Sequence, residues 1–150
     1  MIEKGDQLPD FELLNQNGET VTKKDLTGSK VVLFAYPRAA TPGCTRQACG
    51  LRDRMPDLDG ARVVGISPDL PKALKKWKEK EGLPYDLLSD PEHELLEALG
   101  AWGEKSMYGK KYMGVIRSHW VVGENGEVLD ARVKVSPAKS VELAAAYFSG

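Results

Sequence analysis

At 150 residues the chain is about one domain long, and a domain of that size buries roughly two-thirds of the surface its unfolded chain exposes, so one unit over residues 1–150 is expected. Lys plus Arg number 21 against 22 Asp plus Glu, a formal net charge of -1, which leaves no basic excess to neutralise phosphates and argues against nucleic acid as a partner. The opening MIEKGDQLPDF has neither the basic nor the apolar region of a secretory signal. No stretch approaches the roughly 20 apolar residues of a membrane span, so a soluble cytosolic protein without a membrane partner is expected.

No repeat, low-complexity tract or flexible linker divides the sequence. The apolar, β-rich run VVLFAY, Val31 to Tyr36, is bounded by Pro37 and predicts a buried central strand. Thr45 to Leu58 has helical content and leads into a second strand, Arg62 to Ile66. Strand, helix and strand together predict a parallel pair and an α/β fold. PKALKKWKEKEG sets Ala73, Leu74 and Trp77 on one stripe opposite a charged, solvated face, and Gly82 ends that helix. A short strand over Tyr85 to Ser89 and a helix over Pro91 to Leu99 follow, the helix capped by Ser89 or Asp90 and closed by Gly100. Then the pattern changes: Val115 to Val122 and Glu127 to Val135 read as strands joined through Gly-Glu-Asn-Gly, a hairpin signal, before a last helix from about Ala138 to Phe148. The sheet is therefore expected to be mixed, parallel first and antiparallel late.

Both cysteines lie in TPGCTRQAC, residues 41–49. In a reducing compartment such a pair points to reaction rather than stapling, and the five-residue offset of Cys44 and Cys49 is neither C-x-x-C nor a metal-site spacing. Cys44 falls just beyond the carboxyl end of the first central strand, where open α/β sheets collect reactive groups. Thr41 and Pro42 form a helix start, a capping hydroxyl followed by proline at the first helical position, which puts Cys44 in the first turn. Unpaired N–H groups and the helix dipole there favour thiolate over thiol, with Arg38 and Arg46 close in sequence to assist. Against this stands a cysteine that merely fills space under the sheet. Gly43 argues for the reactive reading, because it lets the backbone approach a small substrate and offers nothing to packing.

The run Pro37-Arg-Ala-Ala-Thr41-Pro-Gly-Cys44 resembles the P-x-x-x-T-x-x-C motif of the peroxiredoxins, and with Cys49 the segment YPRAATPGCTRQACGLRD resembles the peroxiredoxin Q, or bacterioferritin comigratory protein, subfamily. Similar segments recur in order along nearly the whole chain: GDQLPDFELLNQNGETV, Gly-Ile-Ser-Pro-Asp, LLSDPEHELLEALGAWGEK and Tyr-Met-Gly-Val-Ile-Arg117-Ser. The resemblance implies a thioredoxin-like fold and a thiol peroxidase. In that reading Cys44 is the peroxidatic cysteine and Cys49 its intramolecular disulfide partner. Thr41 is a hydroxyl bonded to peroxide and sulfur, Pro37 a shield against water, and Arg117 the motif's arginine. The implied substrates are hydrogen peroxide and organic hydroperoxides, and the implied partner is thioredoxin or a similar dithiol reductant. No metal, flavin or haem cofactor is needed, and with both cysteines in one chain a monomer is expected. A fixed guanidinium suits this chemistry, since cleaving an O–O bond develops negative charge on the leaving oxygen.

Arg117 is expected inside an otherwise apolar strand, where the alternative is an edge residue exposed to solvent. His119 stands where the subfamily commonly has Thr, and Gln47 where many members carry Glu. A lone strand histidine is expected to be hydrogen-bonded structure rather than a base, and His93, in a polar helix start, to lie at the surface. Three other readings compete. A general disulfide oxidoreductase lacks its C-x-x-C turn, a zinc site lacks four suitably spaced ligands, and a non-enzymatic binding or holdase module leaves the helix-start cysteine unexplained.

Overall fold

The computed structural model describes residues 2–149. Its frame is a seven-stranded mixed sheet in the order β2-β1-β5-β4-β3-β8-β9. The centre is β3 (Val31–Ala35), β4 (Arg62–Ser67) and β5 (Leu87–Ser89), which run parallel. On one side β8 (Ser118–Val122) and β9 (Val128–Val133) add as an antiparallel hairpin, closed through the Gly-Glu-Asn-Gly turn with Gly126 N–H donating to Gly123 O. On the other side β1 (Glu12–Asn15) pairs antiparallel with β5, and β2 (Thr20–Thr22) forms the edge. The thioredoxin-like, mixed α/β architecture expected from the sequence is present.

β3 explains why the sheet lies at the centre of the core. Val31, Leu33 and Ala35 point to one face and Val32, Phe34 and Tyr36 to the other, and all six are fully buried. The Phe34 face is covered by α2 (Pro42–Arg54), α3 (Pro71–Glu81) and α5 (Pro137–Ser149), contributing Leu51, Leu74, Trp77 and Ala144. The Leu33 face is covered by α1 (Lys23–Leu26) and α4 (Glu94–Ala98), through Leu26, Leu95 and Leu96. α3 stops where the sequence indicates, with Gly82 left-handed at φ 63°. Asp90 accepts from the N–H groups of Glu94 and Leu96 at the start of α4, but the helix begins later than expected, with His93 at its N-cap, and is shorter than Pro91 to Leu99. None of the helices of the described residues is long and apolar enough to cross a membrane.

The structure corrects the sequence reading in one place that matters for the site. Val115 to Val122 is not one strand. β6 (Trp102–Met107) and β7 (Lys110–Val115) form a separate two-stranded ribbon, and the chain leaves that ribbon to join β3 only at Ser118. Ile116 and Arg117 are the crossing: Ile116 N–H bonds Ala101 O and Val135 N–H bonds Arg117 O, so neither residue pairs in a ladder. Arg117 therefore projects from a change of sheet, rather than from inside a strand.

Candidate active site

α2 begins at Pro42, one residue after Thr41, and its first intrahelical bond runs from Thr45 N–H to Thr41 O at 2.9 Å. The N–H groups of Gly43 and Cys44 therefore lack intrahelical partners and point out of the helix start. Thr41 does not cap with its side chain as expected. Its hydroxyl instead donates to Arg38 O at 2.7 Å, and not to the Cys44 sulfur that the resemblance implied, tightening the turn that delivers the chain from β3 into α2. Within that turn Ala40 is left-handed at φ 65°, a conformation costly for a residue with a Cβ. Asp69 fixes the turn from beside β4, accepting from Ala39 N–H at 2.7 Å and from the Ser67 hydroxyl at 2.8 Å. Pro37 is half-buried at the end of β3.

Cys44 is buried, 1% exposed, and Arg117 Nη2 lies 3.5 Å from its Sγ. Arg117 is therefore brought to Cys44, although 73 residues separate them. Gly43 lies against the guanidinium: a Cβ there would stand 3.2 Å from Arg117 Nη2, a tight contact. Gly43 thus has a packing reason, contrary to the sequence reading. Arg38 and Arg46 are exposed, and neither guanidinium bonds the sulfur. Beside Arg117 opens a cavity of about 490 Å³ lined by Ile116, Val135, Lys105 and Lys134. Burial first, and then the nearby Arg117 charge, pushes the Lys105 ammonium below its ordinary pKa; its Nζ donates to Val115 O at 2.9 Å.

Behind Arg117 a line of hydrogen bonds runs through the core. Arg117 Nη1 donates to Gln47 Oε1 at 2.8 Å, Gln47 Nε2 donates to Ser140 Oγ at 2.9 Å, and Ser140 Oγ lies 2.8 Å from His119 Nδ1. Gln47, Ser140 and His119 are all fully buried. His119 is accordingly hydrogen-bonded structure, as expected, and burial pushes its pKa down to about 4. Ser140 went unnoticed in the sequence, although a serine on the apolar stripe it shares with Ala144 was a signal. His93, partly exposed, stacks on Trp102 at 4.0 Å with Nδ1 on Glu97.

Cys49 sits five residues along the same helix, partly buried, and both cysteines are free thiols. Its Sγ lies 3.6 Å from Glu81 Oε1 at the end of α3. Burial, and then the Glu81 carboxylate against the opposing pull of Arg52, raises its pKa and keeps a proton on this sulfur. The same helix is held to its neighbours by Trp77 Nε1 donating to Thr45 Oγ1 at 3.1 Å and by the Tyr85 hydroxyl donating to Ala48 O at 2.6 Å. Gly50 meets α5: a Cβ there would stand 2.6 Å from Val141 Cγ2. Among the described residues no three His, Cys, Asp or Glu side chains are grouped to hold a metal ion.

The AhpC/TSA family matches residues 4–131. A putative peroxiredoxin of Mycobacterium tuberculosis is 48% identical over 133 residues, covering 87% of this chain and 85% of the relative. Peroxiredoxin Bcp of Escherichia coli is 46% identical over 129 residues, covering 85% and 83%. Among solved structures, peroxiredoxin Q of Xanthomonas campestris superposes with a TM-score of 0.89 at 30% identity, covering 99% of this chain and 98% of that one. A second structure, described for the alkyl peroxide reduction activity of the Xanthomonas campestris bacterioferritin comigratory protein, gives 0.85 at 30% identity, covering 93% and 90%. The chain therefore belongs to the AhpC/TSA family, as a peroxiredoxin of the peroxiredoxin Q or bacterioferritin comigratory type, a peroxidase among the oxidoreductases.

Proposed function

We propose that this protein reduces hydrogen peroxide and organic hydroperoxides through Cys44, with Cys49 as the resolving thiol and thioredoxin or a similar dithiol as the reductant. The observation that carries the reading is Arg117 Nη2 at 3.5 Å from the buried Cys44 Sγ, beside the unpartnered N–H groups of the α2 start. The Cys44 thiolate attacks one peroxide oxygen: an S–O bond forms, the O–O bond breaks, and the leaving oxygen departs as alcohol or water after taking a proton. Arg117 and the helix-start N–H groups stabilise the charge that grows on that oxygen. Thr41 and Pro37 shape the turn around it: the Thr41 hydroxyl, its own proton on Arg38 O, orients the peroxide by accepting from the peroxide O–H, and Pro37 keeps water away.

The sulfenic acid left on Cys44 condenses with the Cys49 thiol, an S–S bond forming as water leaves. The outside dithiol then reduces that disulfide by exchange. The protonated state of Cys49 suits this division of labour, since it keeps the second sulfur from competing for peroxide. Both thiols belong to one helix of one chain, so the cycle needs no second subunit; the reading is of a monomer with one domain over residues 1–150, working in a reducing cytosol. The test is a thiol count on the reduced protein after one equivalent of hydrogen peroxide. Loss of both thiols together within the peroxide reaction supports the cycle. Slow loss, at the rate of ordinary exposed thiols, would leave a binding module on a peroxidase fold.

A further inference from the structure

The line of bonds from Arg117 into the core has a polarity that the donor inventory fixes as far as Ser140. Arginine has no acceptor, so Gln47 must present Oε1 to Nη1 and Nε2 to Ser140. Ser140 Oγ therefore accepts, which frees its one proton to be donated to His119 Nδ1, 2.8 Å away. His119 can take that proton's bond only as a neutral ring with Nδ1 bare and the hydrogen on Nε2. We propose that His119 and Ser140 are positioning residues for the peroxide reaction: by consuming the Ser140 proton, His119 forces the Gln47 oxygen toward Arg117 and so holds the guanidinium at Cys44.

The alternative arrangement shows why this matters. Were the Ser140 hydroxyl free to donate to Gln47, the amide could turn over, presenting its NH₂ group to a guanidinium that also only donates. Two donors would face each other in the core, and Arg117 would be driven from the position that brings Nη2 to 3.5 Å from Sγ. No element of this arrangement is adjustable by solvent, because Gln47, Ser140 and His119 are fully buried. The low pKa of His119, caused by its burial, agrees with a ring that stays neutral while it accepts. The same tautomer leaves the Nε2 hydrogen buried without a partner among the described residues, a cost the arrangement carries, and the ring's one hydrogen bond, which sets its position, is on the Nδ1 side.

The inference rests on the peroxidase reading, and two measurements on the full-length protein separate the two. The first is the ¹⁵N spectrum of the wild-type histidines at neutral pH. The expected result for His119 is a hydrogen on Nε2 and a bare, hydrogen-bonded Nδ1; a hydrogen on Nδ1 overturns the proposal whether or not any variant folds. The second uses the Cys49→Ser background, in which both rates report on Cys44 alone. The single-turnover rate with hydrogen peroxide is divided by the rate of alkylation with iodoacetamide at alkaline pH, a reaction in which no oxygen leaves. His119→Leu, which offers no acceptor, and Ser140→Ala should each lower that ratio about fivefold to tenfold, the effect of one ordinary hydrogen bond. His119→Asn, whose side-chain oxygen takes the place of Nδ1, should stay within about twofold of the parent. Equal ratios in all variants, or equal losses in His119→Leu and His119→Asn, overturn it. A parent that consumes no peroxide would sink the peroxidase reading, and the ¹⁵N result would still decide the relay.

Discussion

Oxidation of the two thiols should unwind the start of α2. Along an ideal helix, residues five apart have Cα atoms about 8.7 Å apart and side chains pointing about 140° from each other, from a rise of about 1.5 Å and 100° per residue. A disulfide requires Cα atoms about 4.4–6.8 Å apart with converging Cβ vectors, so Cys44 and Cys49 cannot be joined while Pro42–Arg54 stays helical. Opening the segment breaks side-chain bonds that the reduced structure makes there: Arg117 to Gln47, Gln47 to Ser140, Trp77 to Thr45 and Tyr85 to Ala48. At about 1 kcal/mol each these sum to about 4 kcal/mol, or about three powers of ten in local opening. Amide hydrogen exchange, read by mass spectrometry before and after one equivalent of peroxide, should therefore accelerate about a thousandfold across residues 43–52. Val31–Ala35, in the centre of the sheet, should stay protected in both states. Equal protection of residues 43–52 in the two states would refute the reasoning.

Two further outcomes follow from the packing around this helix. Gly50→Ala would add about 1 kcal/mol in an unobstructed helix interior, but its Cβ would stand 2.6 Å from Val141 Cγ2 and 3.3 Å from Cγ1, on a stiff branched side chain. Overpacking of this kind costs about 1–3 kcal/mol, so urea unfolding of the reduced protein should show a net loss of about 1 kcal/mol, regained when Val141→Ala is added. A net gain in the single variant would place α2 and α5 farther apart. The pH dependence of stability tests His119, whose pKa falls from the ordinary 6.5 to about 4 on burial. Above pH 6.5 the ring is neutral folded and unfolded and contributes no slope. Below it the unfolded chain takes up the proton first, so folding stability is lost progressively down to about pH 4, by about 3 kcal/mol. The difference between wild type and His119→Asn should therefore change across that window, and parallel curves would show that His119 titrates as it does in the unfolded chain.

The central sheet and Cys44 were legible in the sequence for physical reasons. Six apolar residues in a row bury only where helices cover both faces, which is what β3 finds, and Thr41-Pro42 marks a helix start without tertiary help. What escaped was set by distant contacts. Val115 and Ile116 on one side of Arg117 and Trp120 to Val122 on the other are all β-rich, so nothing local marks Ile116 and Arg117 as the change from one sheet to another. The short strands β1 and β2 have only four and three residues, too few to raise a periodic signal. Gly43 looked like room for a small substrate, and the structure gives it Arg117 as a neighbour instead, while Gly50 meets Val141. Gln47 and Ser140 are 93 residues apart in sequence, and only the packing of α2 against α5 makes them a pair.

The central claim, that Cys44 attacks and Cys49 resolves, is tested most directly by single-turnover kinetics of Cys44→Ser and Cys49→Ser with hydrogen peroxide. The structure gives the two sulfurs different surroundings, Arg117 at Cys44 and the Glu81 carboxylate at Cys49. Cys44→Ser should consume no peroxide beyond the background of an exposed thiol. Cys49→Ser should react once at the wild-type rate and then stall as the sulfenic acid, which a dimedone-type probe traps. Equal loss of the first turnover in both variants, or a first turnover surviving in Cys44→Ser, would contradict the assignment.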